Sequence, residues 1–171
     1  MTQPSILIAT EPATDLMIVE AMAVALENYI VGDDLYHTIT VRTDAGEETL
    51  QMTGADLLTR LYRLQGESAM LSGEEQARFT TAKLRVEQTI ATLRTRFYAR
   101  LQREIKTRLA SLKWFLDDYA ADPQRCRIEF PFEMRNRQQI EEALKLIGYQ
   151  LPASLQHTLQ VIDERLRQVA M

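Results

Sequence analysis

From Glu74 to Ala121 the chain contains neither glycine nor proline, so nothing in that stretch forces a helix to end. A single helix of this length would span about 72 Å, whereas a compact chain of this size is roughly 40 Å across. The helix must therefore break, protrude, or be covered by another chain. Thr89–Thr95 and Ser111 are the candidate break points. If the helix stays whole, a second copy lying along it is the expected cover, which points to a homodimer.

Its apolar residues fall on one line: Phe79, Ala82, Val86, Ile90, Leu93, Phe97, Leu101, Ile105, Leu109, Leu112, Leu116 and Tyr119. Eleven steps cover 40 residues, a mean of about 3.64, which is the period of a straight α-helix rather than the 3.5 of a left-handed coiled coil. That spacing favours packing across a bundle over a long two-stranded rope.

The same stretch carries most of the basic charge. Arg78 to Lys113 holds ten Lys or Arg against two acids, Glu87 and Glu104, a local balance of +8 in a chain whose net charge is −4. The first 41 residues hold no Lys or Arg and six acids: Glu11, Asp15, Glu20, Glu27, Asp33 and Asp34. Arg78, Arg85, Arg96, Arg100 and Arg103 lie on one flank of the helix, about 100° from the apolar line. They form the candidate polyanion-binding surface for DNA or RNA. Arg94 and Arg108 fall nearer the line, where a charge needs a partner, and Glu20 and Glu27 of the acidic segment are the expected counterparts. Internal neutralisation is the favoured reading, since the chain is acidic overall and few aromatics interleave the arginines.

The rest of the chain reads as shorter elements. Ser5–Ala9 is a short apolar run, read as a strand or an extended lead-in. A helix is expected from about Ala13 to Val31, with Thr14 or Asp15 as its cap and Gly32 as its stop. It is apolar nearly all round, the mark of a central helix, and with Glu20, Glu27 and Asn28 inside it is no membrane span. Leu35–Val41 and Glu48–Thr53, joined by a turn at Arg42–Glu47, form a β-hairpin. Arg127–Phe132, with Ile128, Phe130 and Phe132 alternating, is a candidate third strand on an edge that tolerates Pro131. Helices are expected at Ala55–Gln65, Glu133–Ile147 and Pro152–Ala170, and Ser72 with Glu75 resembles a capping box opening the long helix.

No catalytic signature emerges. Two histidines, His37 and His157, and one cysteine leave too few ligands for an ordinary zinc site, and no metal or cofactor is expected. Phosphate-binding glycine loops, dinucleotide fingerprints and nucleophile elbows are absent. Cys126, between Arg125 and Arg127, is a candidate reactive thiol if it is exposed, and otherwise a packing residue. Ile140–Ile162 superficially resembles a helix-turn-helix presenting Ala153, Ser154, Gln156 and His157. Met17, Met22, Phe79, Phe97 and Tyr98 are read as core packing, with the lining of a small-molecule pocket as a third alternative.

The sequence therefore predicts a mainly α protein: a helical bundle of about five helices around one very long central helix, with a small antiparallel hairpin of two or three strands. It is expected to be one domain, 1–171, with residues 133–171 as a candidate C-terminal helical-hairpin subdomain. The expected role is non-enzymatic, a cytoplasmic interaction or scaffold protein acting as a homodimer or complex subunit. A nucleic-acid-binding accessory protein is the alternative.

Overall fold

The apolar N-terminal segment folds as helix α1, Pro12–Val31, in the computed structural model, which describes residues 11–44 and 46–170. The run Ser5–Ala9 lies outside the described residues. Pro12 sits in the first turn, where its missing N–H is harmless. At the other end Gly32 donates its N–H to the Asn28 carbonyl (3.1 Å). Leu16, Ile18, Val19, Met22, Ala23, Leu26, Tyr29 and Ile30 are all buried, one broad face of about 160° around the helix, whereas Val24, Glu27, Asn28 and Val31 on the far side are exposed. Three neighbours cover them: strand β1 (His37–Thr43), helix α2 (Gly54–Gly66) and helix α3 (Gly73–Thr92).

The hairpin pairs β1 with β2 (Gly46–Met52) antiparallel, from His37 opposite Met52 to Thr43 opposite Gly46. The turn is tighter than Arg42–Glu47, because Gly46 takes φ +117°, a value that favours glycine. Ile39 and Val41 face inward, with Met52 on the partner strand. Thr53 then caps α2 by accepting from the Asp56 N–H (3.1 Å). Ser72 and Glu75 form the expected capping box at the start of α3.

The long helix breaks at one residue. Leu93, at φ −115° and ψ 34°, separates α3 from α4, Arg94–Ala121. The Leu93 N–H still reaches the Thr89 carbonyl (3.0 Å), and its own carbonyl accepts from Phe97 (2.9 Å). Just before the break, the Thr89 and Thr92 hydroxyls donate back to the carbonyls of Arg85 and Gln88, a bond that tends to bend helices. The apolar line stays inside the protein: of its twelve members only Leu93 and Tyr119 are less than buried. The argument for a second chain along that line is thereby removed, because the chain covers it itself.

The chain forms two compact units, Met1–Leu101 and Gln102–Met171. α4 contributes Phe97 and Leu101 to the first and Ile105, Leu109, Leu112, Phe115 and Leu116 to the second. Within the second unit, side chains of α4 meet α5 (Phe130–Leu146) at Arg108–Asn136 and Phe115–Phe130, and α6 (Ala153–Ala170) at Asp117–Arg165. Gln102 donates to the Gln150 carbonyl (3.1 Å) and Arg165 pairs with Asp117 (3.0 Å). Both segments advance equally between these contacts, so α6 runs parallel to α4. α5 runs antiparallel to α4, since Asn136 meets Arg108 and Phe130 meets Phe115.

A third strand does not form at Arg127–Phe132, and the two-stranded sheet is the only one among the described residues. Asp122 accepts from the Arg125 N–H (3.2 Å) and starts a one-turn helix, Pro123–Cys126. A 3₁₀ turn, Arg127–Glu129, leads into α5, whose first turn holds Pro131. Proline is as well suited to that position as to a strand edge, and the alternation misleads. Phe130 packs on Phe115 and Tyr119, with ring centroids 6.1 and 6.4 Å away, whereas Ile128 is 84% exposed.

Gly54 sets how closely α2 approaches α4. A Cβ added there would stand 3.0 Å from both Leu101 Cδ2 and Phe97 Cε1. In an open helix Gly→Ala stabilises by about 0.5–1 kcal/mol. Gly54→Ala should instead destabilise by about 1–3 kcal/mol through overpacking, read from urea unfolding midpoints; a stabilised variant would show that the gap is slack.

Candidate functional site

The arginine flank divides into two fates. Arg78 is drawn into the first unit by Glu20 of α1, which accepts from Nε (3.0 Å) and from a terminal nitrogen (2.5 Å). The hydrogen bond from Arg78 to Glu20 raises the arginine pKa above its ordinary value. Arg100 is buried. Its guanidinium lies 4.1 Å from the centre of the Tyr29 ring and donates to the carbonyls of Gly32 and Asp34. A cation at that place complements the negative end of α1. The Tyr29 hydroxyl in turn accepts from the Gly54 N–H (3.0 Å), so one aromatic ring links the end of α1, α4 and the start of α2. Arg85, Arg96 and Arg103 are exposed.

The expected ion pairs are redistributed. Glu20 pairs with Arg78 rather than with Arg94 or Arg108, and Glu27 stands in solvent. Arg94 is exposed as well, because it is the first residue after the break, where the helix has only begun. Arg108 stays within the second unit. It donates to Glu104 (2.7 Å), one turn back on the same helix, and to Asn136 Oδ1 on α5 (2.7 Å).

Sequence reasoning missed the most buried ion pair. Asp15, expected as a helix cap, is 1% exposed, and Glu11 occupies the cap position instead. The Asp15 carboxylate accepts from Arg60 (2.6 Å) and Arg63 (3.1 Å) of α2. Asp56 holds the other side of Arg60 (3.2 Å), and Glu67 that of Arg63 (3.1 Å). Burial works against the Arg60 charge, but the carboxylates of Asp56 and Asp15 overcome it and raise its pKa. A signal existed in the i, i+4 pairs Asp56–Arg60 and Arg63–Glu67, together with an arginine among Leu57, Leu61 and Leu64.

A second buried polar cluster lines α5, with Glu133, Asn136, Gln139 and Glu142 all buried. Asn136 receives Arg108 and donates to Glu133 Oε1 (3.3 Å). Burial raises the Glu133 pKa, opposed by the Asn136 hydrogen bond.

Cys126 is buried at 5% exposure inside the one-turn helix, neither opening a strand nor meeting solvent, and a buried thiol is a poor nucleophile. Among the described residues no group of three His, Cys, Asp or Glu side chains can hold a metal ion, and no helix is long and apolar enough to cross a membrane. Met22, Phe79 and Phe97 are core residues, and Met17 and Tyr98 are half-buried. The helix-turn-helix likeness also fails. Arg137 of α5 donates to Asp163 of α6 through two nitrogens (2.7 and 2.9 Å). Each residue stands about 15 Å along its helix from the turn, and arms crossing at right angles would hold their backbones about 21 Å apart there. α5 and α6 are an antiparallel hairpin.

A groove of about 400 Å³ lies open between α1 and α3, lined by Glu20, Ala23, Val24, Glu74, Ala77, Arg78, Thr81, Ala82 and Arg85. Val24 in that lining is 62% exposed. The chain matches no protein family, no curated protein and no solved structure with which it was compared.

Two outcomes test the buried charges. Asp15→Asn leaves Arg60 and Arg63 short of a counter-charge and should destabilise by about 3 kcal/mol in chemical unfolding. Glu133, with its folded pKa raised, binds its proton more tightly folded than unfolded. Its contribution to stability therefore declines as pH rises from the ordinary carboxyl value through the raised folded one. Glu133→Gln keeps the acceptor for Asn136 and should gain on the wild type between pH 4.5 and 7.5 in parallel thermal melts; a constant gap would mean that Glu133 titrates normally.

Proposed function

We propose that the protein is a non-enzymatic interaction or scaffold protein, working as a homodimer or as a subunit of a complex. The observation that carries this reading is the contrast between filled interiors and the open groove of the first unit. The buried carboxylates Asp15, Asp56, Glu104 and Glu133 are bound to arginine or asparagine, an arrangement suited to holding a fold rather than moving protons. The groove between α1 and α3, by contrast, offers apolar side chains beside unlike charges, the composition of a protein-binding surface.

A second reading, a nucleic-acid accessory protein, rests on the exposed Arg85, Arg94 and Arg96. It is weakened by the use of Arg78 and Arg100 inside the fold, which takes two cations out of any row of phosphate contacts. The two readings separate in solution. Light scattering on the purified chain should give about twice the 19.7 kDa chain mass, and the chain should pass through heparin at about 0.15 M salt. Retention that falls with salt and disappears when Arg85 and Arg96 are changed to Ala would favour nucleic acid instead.

A further inference from the structure

We infer that the groove between α1 and α3 is the seat of a second copy of this chain, with the two α3 helices antiparallel across a two-fold axis. The inference rests on the interaction reading and names its partner. Three observations on one face carry it.

First, the charges on α3 are self-complementary. Glu74 and Arg85 are both exposed and both line the groove. Eleven residues apart, they lie within about 20° of each other around the helix and about 16 Å apart along it. When a second α3 is laid antiparallel with Glu74 against the partner subunit's Arg85, the two-fold axis generates the reciprocal pair at once. An isologous contact requires such an arrangement. A parallel pairing would instead set like charges together.

Second, the middle of that register is small. With the ends fixed, Ala77 stands opposite the partner's Ala82, and Arg78 opposite the partner's Thr81. Ala77 and Thr81 are exposed, and Ala82 lines the groove floor. Short side chains at a helix crossing permit the closer range of interaxial distances. Arg78 does not obstruct the approach, because Glu20 holds its guanidinium against α1.

Third, Val24 on α1 lines the groove and stands in solvent at 62% exposure. A helix seated in the groove would remove it from water. Glu74 and Arg85 line the groove from α3, so an apolar contact would be rimmed by an ion pair, the usual order in an interface.

The test is charge reversal with complementation, followed by sedimentation velocity on the full chain. The wild type should dimerise below about 100 µM, the weak end for a specific interface. Glu74→Arg and Arg85→Glu should each weaken self-association by roughly tenfold or more, since each sets two like-charge pairs across the axis. Mixed one to one, the two variants should recover a heterodimer near wild-type affinity, because every cross-axis pair is again unlike. Val24→Arg, at an exposed position, should also lose the dimer while keeping the wild-type melting temperature, which separates lost contact from lost folding. A strict wild-type monomer would overturn both this inference and the homodimer reading. A wild-type dimer untouched by the reversals, or variants that do not complement, would overturn the groove alone and leave self-association to another face.

Discussion

Helix α1 must be covered along one broad face, and the first unit is built around that requirement. With Leu16, Ile18, Val19, Met22, Leu26, Tyr29 and Ile30 buried over an arc of about 160°, the face is wider than one neighbouring element covers. Each such side chain contributes about 1.5–3 kcal/mol when taken out of water. Three elements therefore gather on it, and two of them bring their own charge problem. α2 presents Arg60 and Arg63 toward the helix, and α3 presents Arg78. The carboxylates of Asp15 and Glu20 meet them. A first segment without a single lysine or arginine is what such packing calls for, since α1 meets arginines from two sides.

The position of each ion pair follows from burial. Asp15 and Arg60 are nearly inaccessible, and a pair of that kind is held less for net stability than because losing either partner strands the other. Glu20 and Arg78 lie at the rim, where solvent screening leaves an exposed pair little net value. Arg100 solves a different problem. By donating to the carbonyls of Gly32 and Asp34 it satisfies acceptors just beyond the end of α1, while its face rests on Tyr29. An arginine can do both because its guanidinium is planar and carries several donors. A residue that counts as phosphate-binding charge on a helical wheel is, in the fold, a clamp on backbone.

The interaction reading changes its basis between sequence and structure. The length of the helical stretch argued for a second chain along its apolar line, and the break at Leu93 with burial of that line removes the argument. The outer face of α3 supplies a different one. There Glu74 and Arg85 remain in solvent beside a groove that Val24 of α1 lines from the other side, with the unlike charges set about three turns apart on one face. In the second unit, Trp114 and Ile128 are large exposed side chains, and a smaller hollow of about 290 Å³ lies along α6 beside His157, Val161 and Arg165.

Local pattern was enough for the helices, their order and several of their ends. The spacing of apolar residues, Ser72 with Glu75, and the glycine at 32 are short-range signals, and short-range signals are what a chain states directly. The hairpin was legible for the same reason, and so was the neighbourhood of the break. The segment 127–132 was misread because alternation of Ile128, Phe130 and Phe132 is indifferent between a strand and a helix entrance until Asp122 caps the turn before it. The candidate site was far less legible. A helical wheel gives the direction of Arg78, Arg85, Arg96, Arg100 and Arg103, but not which of them meets a carboxylate or a carbonyl from residues far away in sequence. By itself the sequence determined a mainly α chain with an acidic, apolar first helix and a basic long one, because periodicity and charge are properties of neighbours. Tertiary structure alone decided that Asp15 would be buried against Arg60, that Arg100 would turn inward, and that a groove would stay open beside Arg85. Each of those depends on where distant backbone lies, and burial is what sets the energy of a charge.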